Sequence, residues 1–332
     1  PFIPGIGQSI NGARIWIRIG PMSFQPAELS KVLLAVFFAS YLVANRDNLA
    51  LAGRKVLWMS LPRARHLGPL FIVWGVSICV LVLQKDLGSS VLLFGLFVVV
   101  LYVATDRPSW LLIGGALFLP AAWFAATHLH HVQQRISGWL HATDDAVYNA
   151  AGGSWQLLTG MFGMSTGGLM GAGWGKGSPT LVTFANSDFI FASLGEELGL
   201  TGTLVILVLY LVLIQRGLRT AMLLRDGFGK LLAVGLSFAV ALQIFVVIGG
   251  VTRLIPLTGL TLPFLAYGGS SLIANWVILA LLLRLSDAAR RPATHAPRII
   301  DTAELPLSLR RRVQDAGAEE SMAEAGSDAP AE

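Results

Sequence analysis

Seven apolar segments of this chain approach the length that a bilayer-spanning helix needs, about 20 residues. They are residues 26–44, 67–83, 87–104, 109–127, 189–214, 231–250 and 262–283. A helix satisfies its own backbone hydrogen bonds, which lipid requires of any spanning segment. The composition agrees, because 54% of the 332 residues are hydrophobic and only 13% are charged, against about 25% in soluble domains. We therefore predict an all-α polytopic membrane protein with about seven transmembrane helices.

The basic residues predict how these segments are oriented. If the loop at 45–66 faces the cytoplasm, alternation of the spans places most of the 24 Lys and Arg residues on that side, as the positive-inside rule requires. The exceptions on the outer face are Arg14, Arg18, Lys31, Lys85, Arg135, Lys176 and Arg253. The predicted organisation is an extracytoplasmic loop at 1–25, a transmembrane domain at 26–285 with a long extracytoplasmic loop at 128–188, and a disordered cytoplasmic tail at 286–332.

Several sequence features exclude particular ligands and partners. Cys79 is the only cysteine, which excludes a disulfide framework and a cysteine-based metal site. The net charge of +5 is small and scattered, so we expect no nucleic-acid partner. The glycine-rich sequence GAGWGKG at 171–177 lacks the spacing of a phosphate-binding loop, so we expect no nucleotide.

Glycines are concentrated between Gly152 and Gly177, in the loop between the fourth and fifth apolar segments. This stretch is too apolar for a free linker and too glycine-rich for an ordinary helix. Because irregular backbone at membrane depth must line protein or water, we predict a re-entrant or membrane-surface segment.

Carboxylates occur next to the apolar runs, where ionised groups cost several kcal/mol and usually mark function. Asp188 stands directly before Phe-Ile-Phe, and Asp86 directly before another span; capping of a helix start is the alternative for both. Glu28 and Lys31 lie three residues apart, so an interfacial ion pair is the alternative to a functional role. The histidines at 128–131 are interpreted as interfacial rather than as metal ligands.

Four motifs together resemble the SEDS (shape, elongation, division and sporulation) family. They are NGARIWIRIGPMSFQPAELSK at 11–31, DLGSS at 86–90, SDFIFASLGEELG at 187–199 and PLTGLTLPFLAYGGSS at 256–271. The stretch HVQQRISGWL at 131–140 is similar to actinobacterial, RodA-like members. The resemblance implies a ten-helix fold, of which this chain would carry the last seven helices and lack the first three.

The resemblance also implies an activity: polymerisation of lipid II, the undecaprenyl-pyrophosphate-linked disaccharide peptide, into glycan strands with a class B penicillin-binding protein. Such a protein is a peptidoglycan glycosyltransferase of the bacterial cytoplasmic membrane, acting at the outer face. Asp188 matches the essential acid of the family. A lipid II flippase and a non-catalytic scaffold of the cell-wall machinery are the alternatives.

Glycosyl transfer from a pyrophosphate needs one base and several cations, because the leaving group departs without a proton once its charge is neutralised. We predict that Asp188 is this base. The candidates to hold the pyrophosphate, alone or with a divalent cation such as Mg²⁺ or Mn²⁺, are Arg14, Arg18, Lys31 and Lys176. The candidates to orient those cations or to bind such an ion are Glu28, Asp86, Gln156 and Ser270.

Overall fold

Helices dominate the structure, a computed structural model that describes residues 7–10, 13–20, 22–45, 55–56, 59–60, 64–150 and 152–291. The α-helices of this described part are α1 (Pro26–Ala44), α2 (Ala64–Leu83), α3 (Leu87–Thr105), α4 (Ser109–His128), α5 (His130–Leu140), α6 (Asp145–Tyr148), α7 (Trp155–Gly167), α8 (Ile190–Leu223), α9 (Gly227–Val251) and α10 (Gly269–Arg290).

Each of the seven predicted segments overlaps a helix, but the last one begins too early, because residues 262–268 precede α10 and are not helical. Six of these helices, α1, α3, α4, α8, α9 and α10, are long and apolar enough to cross a membrane. The second predicted segment lies on α2, a 20-residue helix whose described apolar run is the shorter stretch Phe71–Val80. The prediction of a helical polytopic membrane fold is confirmed, with six described spans rather than seven.

Two small sheets were not predicted. Strands β1 (Gly7–Ile10), β2 (Ala13–Ile19) and β3 (Met22–Phe24) form an antiparallel sheet in the region expected to be a plain loop. The sequence of β2, ARIWIRI, alternates between residue types with the period of a strand, but it is too short to stand out beside the spans. Strands β4 (Lys55–Val56) and β5 (Met59–Ser60) form a second, two-stranded sheet.

Helix α9 lies at the centre of the bundle. It contacts α1, α3, α8 and α10, and 67% of its most apolar stretch is buried inside the protein. Phe38 of α1, Leu96 of α3 and Leu236 of α9 are each at most 1% exposed. The helices around α9 therefore bury apolar faces against it and leave their other faces to lipid.

The predicted loop at 128–188 is largely structured. It holds α5, α6, α7 and a 3-10 helix, Pro179–Leu181. Helix α7 packs along the first turns of α8 through small residues: a Cβ placed on Gly167 would lie 2.2 Å from the carbonyl oxygen of Gly195. The two helices run in the same direction, because Gly160 lies beside Ala192 and Gly167 beside Gly195.

The predicted boundary between the transmembrane domain and the tail can be compared with the structure. Helix α10 continues to Arg290, five residues beyond the predicted domain end at 285, so its last turns extend into the region assigned to the tail. The compact unit of the chain also ends at Arg290. The rest of the predicted tail, residues 292–332, lies outside the described residues.

Candidate active site

Asp188 lies in the turn that leads into α8 and lines a cavity of about 620 Å³. The other walls come from α5, from the first turn of α7 and from the loop at 257–259. Helix α5 is fixed to the end of α9 by reciprocal bonds: the Trp139 indole donates to the Arg253 carbonyl at 3.0 Å, and the Arg253 guanidinium donates to the Trp139 carbonyl at 2.9 Å. One wall of the cavity is thus attached to the core of the bundle.

Arg135 of α5 faces Asp188 across this cavity. Its Nη1 donates to the carbonyl of Leu257 at 2.8 Å. A Cβ placed on Gly259 would lie 3.5 and 3.6 Å from the two terminal guanidinium nitrogens and 3.7 Å from the Asp188 Oδ2. Both charged groups therefore flank the bare Cα of Gly259, yet within the described residues no ion pair of 4.0 Å or less joins them.

The surroundings of Asp188 change its acidity. Burial raises the pKa of Asp188 to about 6, and a hydrogen bond from Ser187 and the charge of Arg135 oppose that rise. A carboxyl with a pKa near neutrality is both largely ionised at pH 7 and basic enough to accept a proton. These are the properties of a general base.

Asp86 caps α3, so the capping alternative for this residue is realised: its Oδ1 accepts from the backbone N–H of Ser89 at 3.0 Å. Burial raises the pKa of Asp86, Glu28 adds to the rise and Arg135 opposes it. The other carboxylate oxygen, Oδ2, is buried and has no hydrogen-bond partner in the described part of the chain. Arg135 thus lies in the field of two carboxylates, Asp188 and Asp86.

Lys31 and Glu28 form a buried ion pair of 2.6 Å. The Lys31 ammonium also donates to Gln243 at 2.8 Å and to Asn275 at 3.3 Å, so all three of its N–H donors are used. The pair is only a few per cent exposed, so it lies inside the protein. Its geometry joins α1, α9 and α10 in the interior instead of presenting a cation to the cavity.

The remaining predicted residues are dispersed. Gln156 lines the cavity and donates to the Thr183 carbonyl at 2.5 Å. Ser270 is buried and accepts from the backbone N–H of Gln25 at 2.9 Å. Arg18 is exposed on β2 and donates to the Gly20 carbonyl at 3.2 Å.

Two predicted cations do not contribute described side chains to the cavity. Arg14 is on β2, and its side chain is outside the described part of the structure. Lys176 is exposed in a glycine-rich turn and is absent from the described lining. Of the predicted site residues, the cavity therefore brings together Asp188 and Gln156.

Sequence reasoning did not select Arg135, Gly259 or His131 for the site. The available signal for Arg135 was its place among the basic residues of the predicted outer face. His131 lines the cavity with a buried Nε2 that has no described partner, and burial together with the charges of Lys85 and Arg135 lowers the pKa of His131. The interpretation of His131 as an interfacial histidine stays a prediction, and its side chain lines the cavity.

A divalent cation stays a prediction. Among the described residues, no group of three or more His, Cys, Asp and Glu side chains is placed to hold a metal ion. Asp86 and Asp188 are the acids that face Arg135, and that guanidinium already offsets part of their charge. We derive no chemical step that depends on a metal.

The fold and the cavity define a class of protein: a multi-pass helical membrane protein with an acid and an arginine facing each other in a cavity beside its spans. Within this class, the family model FTSW_RODA_SPOVE, described as "Cell cycle protein", matches residues 2–291. The chain therefore belongs to this family, and the resemblance to SEDS proteins is confirmed.

Individual relatives and a solved structure agree with this membership. The chain is 50% identical over 296 residues to the peptidoglycan glycosyltransferase RodA of Mycobacterium tuberculosis, covering 89% of this chain and 62% of that protein. It is 34% identical over 287 residues to the probable peptidoglycan glycosyltransferase FtsW of Geobacter metallireducens, covering 86% and 72%. It also matches a chain from a solved peptidoglycan synthase complex with a TM-score of 0.65, at 28% identity and with coverage of 87% and 77%. The chain spans 62% of the length of the mycobacterial relative.

Proposed function

We propose that this protein is a peptidoglycan glycosyltransferase that polymerises lipid II at the outer face of the cytoplasmic membrane. The names of its relatives support this activity. The observation that carries the proposal is the cavity in which Asp188, with a pKa of about 6, faces Arg135. Transfer from a lipid diphosphate uses a base for the attacking hydroxyl and cations for the leaving group, and Asp188 and Arg135 are candidates for the base and for one of these cations.

In the proposed reaction, the Asp188 carboxylate accepts the proton of the attacking hydroxyl of the acceptor sugar. The hydroxyl oxygen forms a bond to the anomeric carbon of the donor while the bond from that carbon to the diphosphate oxygen breaks. The diphosphate leaves with the electron pair and remains on its lipid. A well-placed general base contributes roughly 100- to 10,000-fold to such a step.

Arg135 is the proposed counter-charge for the diphosphate. A guanidinium presents donors in a planar fork that fits phosphate oxygens, and the bond from Nη1 to the Leu257 carbonyl fixes its position while leaving other N–H groups available. Arg135 and Asp188 both line the cavity and form no ion pair of 4.0 Å or less in the described structure, so a substrate in the cavity would contact both groups. Gln156 lines the same cavity from the first turn of α7 and is a candidate for binding sugar hydroxyls.

A class B penicillin-binding protein is the proposed partner. The solved complex that this chain resembles coordinates polymerization and crosslinking, and a crosslinking enzyme acts on the glycan strands that a polymerase makes. The higher identity to a RodA protein than to an FtsW protein favours a role in elongation.

The test replaces Asp188 with asparagine, which keeps the size of the side chain but removes the base. Purified Asp188→Asn protein with its partner is expected to lose polymerisation of lipid II while keeping its thermal stability and its partner binding. Asp145→Asn, the same change at an exposed acid of α6, is the matched control and should remain active. Full activity of Asp188→Asn would remove Asp188 from the mechanism, and lipid flipping without polymerisation by the unaltered protein would favour a flippase.

A further inference from the structure

Helix α8 is interrupted near its start. Gly199 has φ 69° and ψ −170°, a conformation that breaks the helical hydrogen-bond ladder. In a regular helix, the carbonyls of Glu196 and Glu197 would accept from the N–H groups of Leu200 and Thr201, four residues later. The break separates these groups and leaves two carbonyls and two N–H groups in need of new partners.

The glycine turn, defined here as residues 168–176, provides all four partners. Ala172 and Gly173 donate their N–H groups to the two freed carbonyls at 2.9 and 3.0 Å. The carbonyls of Gly168 and Leu169 accept from the two freed N–H groups at 2.9 and 3.1 Å. The turn has therefore exchanged hydrogen bonds with the helix, and the broken ladder is complete again.

Such complete replacement matters most where water is absent. In water, solvent can satisfy freed backbone groups, whereas in hydrocarbon each unsatisfied group costs several kcal/mol. The stretch from Leu200 to Leu223 is about 36 Å long at 1.5 Å per residue, against a hydrocarbon thickness of about 30 Å. Since Arg216 and Arg219 mark the far end of the helix, Leu200 lies near the edge of the hydrocarbon on the Asp188 side.

The surface of α8 beyond the break faces outward and is apolar. Its exposed side chains are Leu200, Leu204, Val205, Val208, Leu209, Leu211 and Val212. The glycine turn continues this apolar surface at the end nearest Asp188. Its side chains Leu169, Met170 and Trp174 are 68%, 82% and 75% exposed. Lys176, also exposed, completes the turn. Tryptophan and lysine are the residues that anchor protein at a membrane surface.

We propose that the glycine turn is inserted into the leaflet of the phospholipid bilayer on the Asp188 side of the membrane. Leu169 and Met170 lie among acyl chains, and Trp174 and Lys176 lie at the level of the head groups. The insertion also reaches the cavity, because α7 begins at its wall with Trp155 and ends about 20 Å away at the turn. The bilayer then holds the far end of a helix that lines the site. This inference does not depend on the reaction proposed above.

The test measures the depth of single spin labels in vesicles of phosphatidylethanolamine and phosphatidylglycerol. In a Cys79→Ser background, labels are placed by Met170→Cys and Trp174→Cys. Val208→Cys on the outward face of α8 is the lipid control, and Ala146→Cys on α6 is the aqueous control. Oxygen concentrates in hydrocarbon and a nickel chelate stays in water, so the ratio of the two collision rates reports depth.

The label at position 170 is expected to give an oxygen-to-nickel ratio several-fold above that of position 146 and below that of position 208, which lies about 12 Å deeper than Leu200 along α8. The label at position 174 should fall between positions 146 and 170. The proposal would be overturned if the label at position 170 gave the same oxygen-to-nickel ratio as the label at position 146, while the label at position 208 gave the high ratio expected in lipid. The thermal midpoint of each labelled variant is compared with that of the Cys79→Ser protein, which distinguishes a misfolded variant from an aqueous turn.

Discussion

The acidity of Asp188 predicts how the polymerisation rate depends on pH. With a pKa of about 6, the carboxyl is about one-tenth ionised at about pH 5 and almost fully ionised at about pH 7.5. Only the ionised form accepts the proton, so kcat/KM is expected to fall about tenfold between these two values. An acid with the ordinary pKa of 3.8 would lose less than about a tenth of its rate over the same interval.

The assay is the initial rate of glycan formation from limiting lipid II by the purified protein with its partner, measured at several pH values. The diphosphate of the substrate is doubly esterified and keeps its charge over this range, so the acidic limb reports a group of the protein. A flat profile between about pH 5 and 7.5 would refute the assignment of a raised pKa to the catalytic base.

Replacement of Arg135 tests whether the pKa of Asp188 sets the pH dependence of the polymerisation rate. The charge of Arg135 lowers the pKa of Asp188, so Arg135→Gln should raise that pKa and move the acidic limb to higher pH. The plateau should also fall, because the proposed counter-charge for the diphosphate is lost. Arg219→Gln, on an exposed site of α8, should change neither. A limb that moves to lower pH in Arg135→Gln would contradict the electrostatic reasoning.

Two further substitutions test the surroundings of the site. Gly259 has φ +76°, so Gly259→Ala adds backbone strain of about 1–2 kcal/mol and places a methyl group beside Arg135 and Asp188. We expect a several-fold loss of polymerisation with a small change in thermal midpoint. An unchanged polymerisation rate would contradict this expectation. Lys31→Met leaves Glu28 buried without its partner, which should cost about 3–5 kcal/mol and lower the thermal midpoint. The double variant with Glu28→Gln should recover much of that loss, and no recovery would show that the pair itself is not the cause.

The spans could be predicted from sequence because a bilayer fixes both the length of a helix and the satisfaction of its backbone. The break in α8 could not be predicted in the same way. Gly199 looks like any other glycine in an apolar run, and its conformation depends on the glycine turn, which meets it only in the folded protein. The glycines and apolar residues of this stretch led to the prediction of a re-entrant or membrane-surface segment, which stays a prediction.

The candidate site, too, could be predicted from the sequence only where it does not depend on contacts made in the folded protein. Asp188 could be selected because an acid next to an apolar run is costly wherever the chain folds. Arg135 could not be separated from the other outer cations, because only the fold brings α5 to the start of α8. Lys31 was selected for its charge, but its partners Gln243 and Asn275 lie 212 and 244 residues away, so its full set of hydrogen bonds could not be read from the sequence.

The buried Lys31 pair nevertheless connects to the cavity through side chains and backbone. Gln243 accepts from Lys31 and donates through its Nε2 to the carbonyl of Thr261 at 2.8 Å. Thr261 belongs to the same loop as Leu257, whose carbonyl binds Arg135. Since the loop holds the guanidinium by its backbone, a fixed loop means a fixed cation. These hydrogen bonds connect the buried ion pair to the loop that binds the Arg135 guanidinium, although Lys31 itself has no donor left for substrate.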